Sequence, residues 1–380
     1  MASAEPIGAM AANPRHAVAI VGGGAAGCAT ALALAARGIE DVVVVDMGRA
    51  AGWRLGEALA PTASAALQRL GVWDAFLAQR PLASAGSCAS WGTPELGYND
   101  FIVAGQGKGW HVDRAAFDAM LAAAVPAQGG TLLRGLRLGA IGRDADGGHV
   151  LELHGEHGAM RRLRAGFLVD ASGIAAAAVR RLGVARNAVD CLAFVAGVFA
   201  LEHAEAIPSQ ALLEACRDGW WYAAKLPGAR MMLALALEPQ RQRHFLDTAT
   251  WLAAAQQTRH VAHWLAHGGA TLPAGGELIA ALGPSAILSR VVGEDWLAVG
   301  DAASAYDPLT AHGIVKALQD GEAAAHALAA QLQGAGPASL AAYQDGVFAR
   351  FRAYLRERGA LYARERRWAQ APFWQARLAA

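Results

Sequence analysis

The stretch HAVAIVGGGAAGCATALALAARGIEDVVVVD, residues 16 to 46, constrains the fold of this chain more than any other. His16 to Val21 is a short apolar run with β-branched residues, and Gly22, Gly24 and Gly27 then satisfy G-x-G-x-x-G. A helical pattern, ATALALAARG, follows, and DVVVVD supplies a second apolar strand. In such a unit the glycines make a tight turn, admit a pyrophosphate to the backbone and let helix pack closely on sheet. The helix N-terminus offers unpaired N–H groups to the phosphates. Asp46 ends the second strand nineteen residues after Gly27, where a carboxylate accepts both ribose hydroxyls. Gly22, Gly24, Ala26, Gly27 and Asp46 are the expected dinucleotide contacts.

Composition narrows the partners. Hydrophobic residues make up 54% of the 380 and charged residues 17%, which suits a large buried core and argues against disorder. A net charge of +1 recruits neither nucleic acid nor anionic lipid, and no basic stripe with interleaved aromatics occurs. Cys28, Cys88, Cys191 and Cys216 are too scattered for a C-x-x-C site and read as buried free thiols. MASAEPIGAMAANPR, at the start, reads as a loose extension. No stretch has the pattern of a signal peptide or a membrane span, so a cytoplasmic protein is expected. His260, His263 and His267 share one helical face, but HWLAH lacks the glutamate of H-E-x-x-H, and no metal is expected.

FAD and NAD share the first unit; the carboxyl-terminal third separates them. WLAVGDAASAYDPLTAHGIVKALQDG, residues 296 to 321, runs from an apolar strand into Gly300-Asp301, through a proline turn, to a helix opening at Gly313-Ile314. An acid there can hold a ribityl hydroxyl or meet the pyrophosphate through water. A helix N-terminus at the flavin N1–C2=O edge stabilises the charge that builds on reduction. A plain NAD dehydrogenase has no need of a second such element, so FAD is the expected cofactor.

Three further segments stand in order between these ends: WRLGEALAP at 53 to 61, GWHVDRAAFDAML at 109 to 121 and FLVDASG at 167 to 173. With these the chain resembles the FAD-dependent aromatic hydroxylase superfamily, of the p-hydroxybenzoate hydroxylase fold, over roughly residues 16 to 376. The likeness is greatest to the branch of tryptophan halogenases, geranylgeranyl reductases and the flavoproteins that mature peptidyl quinone cofactors. The resemblance implies an α/β fold: a Rossmann-like FAD-binding domain with an inserted mixed-sheet substrate domain and C-terminal helices. Its parts would be residues 16–175, with a small β excursion near 82–110, then 176–289 for the substrate sheet, 290–335 for the second FAD-binding part and 336–380 for a helical clamp. It places Arg54 and Glu57 near the flavin, Arg114 at the FAD phosphates or ribose, and Asp170 and Gly173 beside the dinucleotide.

In the substrate half, residues 191 to 203 and 229 to 239 read as strands, residues 241 to 268 as helices, and GWWYAAKLPG lies between the strands. Trp220, Trp221 and Tyr222, with Trp91 of the SWG segment, are candidate walls of an aromatic pocket; core packing is the competing reading. The tail from Tyr343 to Arg377 carries Tyr362, Glu365, Arg367, Trp368, Phe373, Trp374 and Arg377. These resemble the tail of the quinone-maturation flavoproteins, as a clamp between domains or as a docking surface for a protein substrate.

The activity implied is an FAD-dependent monooxygenase that hydroxylates an electron-rich, indole-like aromatic through a flavin C4a-hydroperoxide. It would use molecular oxygen and an external reductant, a flavin reductase or NAD(P)H. The substrate is a free aromatic or a tryptophan of a partner protein. Asp307 to Thr310 would face the oxygen, with Pro308 and Thr310 in the catalytic set beside Glu57. His312, just before the helix glycine, is a candidate base or a simple turn cap. A halogenase would need a lysine in LASAGSCASWGTPEL, residues 82 to 96, which has none, and the W-x-W-x-I-P signature is missing. A reductase of the geranylgeranyl type and a noncatalytic flavin-binding protein are the remaining alternatives.

Overall fold

The computed structural model describes residues 15–48, 55–273 and 276–378. Arg15–Val21 and Val42–Asp46 pair in parallel, as the two apolar runs require, with the helix Ala25–Ala35 crossing between them. Ten of that helix's eleven residues are buried. A helix with no polar face must be covered on every side, and this one is packed against both Gly313–Leu332 and Arg114–Ala127 as well as the sheet.

The first sheet runs Thr131–Arg134, Val42–Asp46, Arg15–Val21, Met160–Asp170, His149–His154, Arg137–Arg143. Met160–Asp170 is long enough to serve two partners on one side: His149–His154 runs antiparallel along its start, and Trp296–Ala298 runs parallel along its last three residues. Residues about 130 positions apart in sequence thereby end at the same sheet edge.

A larger mixed sheet is built around the sixteen-residue strand Arg186–Leu201, flanked by Ile279–Leu288 and Arg230–Leu237. Gly219–Leu226 and Ala211–Cys216 continue it. The β excursion divides: Gly86–Ser90 and Gly97–Asp100 extend this large sheet, whereas Leu82–Ser84 and Gly109–His111 join Ala58–Leu59 in a separate small sheet. One face of the large sheet is covered by Thr248–Gln256 and His260–His267, with Trp221, Trp251 and Phe199 in its core. The other face meets the tail, where Trp220, Phe194, Tyr362, Phe373 and Trp374 pack together.

The tail comprises the helix Ala338–Arg364 and the shorter Pro372–Leu378. Among the described residues no helix is long and apolar enough to cross a membrane. The four cysteines are free thiols, with Cys28 and Cys88 buried and the other two half-buried. The amino-terminal extension, up to residue 14, lies outside the described residues.

Candidate active site

The glycine turn divides its labour as atoms rather than as a pattern. Gly22 has φ +115°, and a Cβ there would stand 2.3 Å from the Ala171 carbonyl oxygen; one on Gly27 would stand 1.9 Å from the Gly22 carbonyl oxygen. These two glycines let the turn close on its own backbone and on the strand end at Asp170. Gly24 differs: nothing lies within 4 Å of its Cβ direction. That opening at the N-terminus of Ala25–Ala35 is where a pyrophosphate fits. Gly23, absent from the motif reading, faces the Asp46 side chain, 2.9 Å from a would-be Cβ, and so keeps the acid beside the turn.

The distant landmarks converge here. Gly300 has φ +62°, and a Cβ on it would meet the Ala26 methyl at 2.7 Å. The Val299 N–H donates to the Asp170 carbonyl at 2.9 Å. Asp170 itself is fully buried, and its carboxylate accepts from the Ser172 N–H (2.9 Å) and hydroxyl (2.6 Å) and from the N–H groups of Ala178 (2.8 Å) and Val179 (2.9 Å). Burial raises its pKa against these donors. Asp170 is thus occupied in shaping the turn and capping the helix Ala177–Arg181, while Gly173, at φ +69°, leaves open space.

Asp301 lies in the field of three cations, Lys316, Arg114 and Arg186, which counter the rise in its pKa that burial causes. Arg186 also donates to the Asp301 carbonyl at 2.9 Å. The helix Gly313–Leu332 begins after the turn Pro308–Thr310, with Ala311 left-handed at φ 52°. Gly313 has nothing within 4 Å of its Cβ direction, so this helix end is open as well. His312 and Pro308 are exposed and Thr310 is half-buried. Ile314 is buried, and the His312 side chain makes no capping bond in the described structure. The second open end, three cations and a free first glycine suit a flavin dinucleotide. Gly24 and Gly313 would flank it, with Asp46 at its ribose, and bound FAD supplies a two-electron redox centre.

Across from these ends, Glu57 is 2% exposed, on a loop whose conformation Arg114 holds by donating to the Leu55 (3.4 Å) and Gly56 (3.1 Å) carbonyls. Arg114 also pairs with Asp118 at 3.0 Å. Burial pushes the Glu57 carboxyl above the usual range; the Tyr222 phenol, the backbone N–H groups of Glu57 and Gly56, and Arg114 oppose that. Tyr222 sits against this carboxyl, though without the geometry of a full hydrogen bond, and its own pKa is driven well up by burial and by Glu57. Val112, Val198, Leu226 and Met232 line a cleft at the same carboxyl together with the charged Asp113, Arg114 and Arg230. Arg54 lies outside the described residues.

The expected aromatic wall is separated by the pleat. Trp220 and Trp221 are successive residues of Gly219–Leu226 and point to opposite faces. Trp221 packs edge-to-face on Trp251 at 5.0 Å, under the helices. Trp220 donates to the Tyr362 hydroxyl at 3.1 Å and Trp91 to the Leu361 carbonyl at 2.7 Å, so both tie the tail to the sheet. Tyr222 alone of the four stands with Glu57. Sequence reading also missed Gly321, where a Cβ would stand 2.7 Å from the Ala29 methyl. A glycine in mid-helix facing the motif helix was the available signal. Arg186 and Lys316 had none.

A family model described as FAD binding domain matches residues 15–357. LodB of Marinomonas mediterranea, named as an FAD-dependent oxidoreductase, is 28% identical over 371 residues, covering 94% of this chain and 95% of LodB. The flavin-dependent halogenase CmlS superposes with a TM-score of 0.84 at 21% identity, over 96% of this chain and 68% of CmlS. The peptidyl tryptophan dihydroxylase QhpG, essential for tryptophylquinone cofactor biogenesis, superposes with a TM-score of 0.75 at 23% identity, over 96% of this chain and 79% of QhpG. With its glycine turn, its second open helix end and this match over most of its length, the chain belongs to the FAD binding domain family and is an FAD-dependent oxidoreductase.

Proposed function

We propose that this chain is a monooxygenase that hydroxylates an electron-rich aromatic ring, foremost the indole of a tryptophan in a partner polypeptide. The observation that carries the reading is the buried Glu57 carboxyl, with a phenol against it, at a cleft that has an apolar side, the charged Asp113, Arg114 and Arg230, and no lysine among its lining residues. The chain's three lysines are otherwise engaged or remote. Lys225 donates to the Ile207 carbonyl at 3.3 Å, Lys316 is paired with Asp320 at 2.9 Å, and Lys108 is exposed. A halogenase of the branch resembled would need a lysine at the substrate.

Reduced FAD supplies the oxygen-activating chemistry when bound. The chain's part is to hold the ring and manage its proton. A buried carboxylate at the ring can accept a hydrogen bond from an indole N–H, and the raised pKa of Glu57 makes it the stronger base for that proton. Val198, Leu226 and Met232 give the cleft its apolar side. The peptidyl substrate is suggested by the likeness to QhpG; the same chemistry on a free aromatic is the second reading, suggested by an equal superposition on a p-nitrophenol 4-monooxygenase.

The test uses FAD-loaded protein with a flavin reductase, chloride and labelled molecular oxygen, offered indole, free tryptophan and tryptophan-containing polypeptides. Mass spectrometry should find labelled oxygen on the ring, with Glu57→Gln cutting the rate by about 100-fold. A chlorinated product, or a saturated double bond without oxygen uptake, would overturn the assignment.

A further inference from the structure

Asp307 is the one fully buried residue of the segment Asp307 to Thr310. It is 1% exposed. Its carboxylate Oδ1 accepts the Leu309 N–H at 2.9 Å, and Oδ2 accepts the Tyr362 hydroxyl at 2.7 Å and Arg358 Nε at 3.2 Å. Its backbone N–H donates to the Tyr354 hydroxyl at 2.7 Å, which in turn bonds Ser285 at 2.6 Å. Tyr354, Arg358 and Tyr362 are spaced i, i+4 and i+8 on Ala338–Arg364, one stripe of one helix. Three successive side chains of that stripe therefore converge on a single aspartate some fifty residues earlier.

The stripe is itself anchored. Arg358 pairs with Asp190 and lies over the Tyr362 ring at 4.8 Å. Arg377 pairs with the same Asp190 at 3.1 Å and stacks on Phe373 at 3.9 Å. Trp220 donates to the Tyr362 hydroxyl from the sheet. Downstream of Asp307 come only the turn Pro308–Thr310, left-handed Ala311, His312 and the open helix end at Gly313. With no side-chain cap from His312, the entry to that helix is held through Asp307.

We infer that Tyr354, Arg358 and Tyr362 are positioning residues for the flavin. By clamping Asp307 they fix the turn that aims the N-terminus of Gly313–Leu332, and so the C-terminal helix sets FAD affinity and reduction potential. A fixed helix N-terminus favours the negative charge of the reduced ring; a loosened one favours it less. This holds whichever substrate the enzyme takes.

The test compares holoenzymes carrying Tyr362→Phe and Tyr354→Phe, each lacking one bond to Asp307, with Trp374→Phe. The last removes a part-buried bond in the same tail that does not reach Asp307, from Trp374 to the Cys216 carbonyl at 3.0 Å. FAD dissociation is followed by fluorescence, the midpoint potential by spectroelectrochemistry and folding by thermal melts. Both tyrosine variants should bind FAD about tenfold more weakly, the equivalent of one charged hydrogen bond, and have lower potentials than the parent. Trp374→Phe should melt earlier with its potential unmoved. Parental affinity and potential in both tyrosine variants would overturn the inference, as would an equal shift in Trp374→Phe.

Discussion

The two glycine-opened helices of the FAD domain, Ala25–Ala35 and Gly313–Leu332, are built by opposite means. The first is opened by a short glycine motif: Gly22, Gly23 and Gly27 each have another atom where a side chain would be, from Ala171, Asp46 and Gly22 in turn. The second packs on the first at Gly321, and its entry turn is held from afar, by a carboxylate that Arg358 and Tyr362 bind from the tail. Their first glycines are nevertheless alike, since Gly24 and Gly313 both face open space. One helix end carries its specification in a short motif; the other borrows it from the rest of the fold.

The sharpest way to break this comparison is at Gly27. Glycine to alanine inside a helix normally stabilises by up to about 1 kcal/mol. Here the added methyl would stand 1.9 Å from the Gly22 carbonyl oxygen, so Gly27→Ala should cost about 4 kcal/mol or more and abolish FAD retention. Denaturant unfolding and flavin content of the purified protein check both.

A smaller effect comes from His111, on the strand paired with the Glu57 loop at Ala58. Its ring is 1% exposed and bonds the Lys225 carbonyl at 2.8 Å. Burial, partly offset by that bond, lowers its pKa from 6.5 to about 4. The unfolded chain therefore takes up a proton that the folded one refuses. Stability should fall as pH drops from 6.5 towards 4, by on the order of 3 kcal/mol, and this arm should vanish in His111→Gln. Unfolding free energies across that range separate this support of the substrate side from the two helix ends, neither of which depends on a neutral histidine.

The smallest change in stability should come from Gly313→Ala. Its Cβ meets nothing within 4 Å, so the melting temperature should hold or rise slightly while FAD binds more weakly. A loss of stability like that of Gly27→Ala would erase the distinction between a packing glycine and a cofactor-facing one.

The same division governs what could be read in advance. The strand–glycine–helix–strand unit was legible because its glycine spacing and apolar periodicity are written in one short segment, although the atoms that demand Gly22 belong to distant Ala171. The GDAA…DP…G segment was legible as a second nucleotide element, and Gly300 against Ala26 shows the two meeting. Asp170 was found as a residue, but its four donors make it a builder of the turn. The aromatic run 220–222 was legible as pocket wall or core packing, and strand alternation sends Trp221 to one core and Trp220 to the other. The tail was legible as a list of aromatic and charged residues, without any indication that a stripe of it ends on Asp307.

The sequence by itself determined the dinucleotide turn, the apolar strands and the choice of FAD, because periodicity and glycine spacing act over a few residues where the chain's path is already set. Only the tertiary structure decided which carboxylates are spent on the chain's own donors, which tryptophan faces which core and what holds the second helix end. Those outcomes depend on groups brought together across 187 positions between Asp190 and Arg377, and across 270 between Trp91 and Leu361. Burial then decides their energies, and no local pattern records which distant partner will meet a side chain once water is gone.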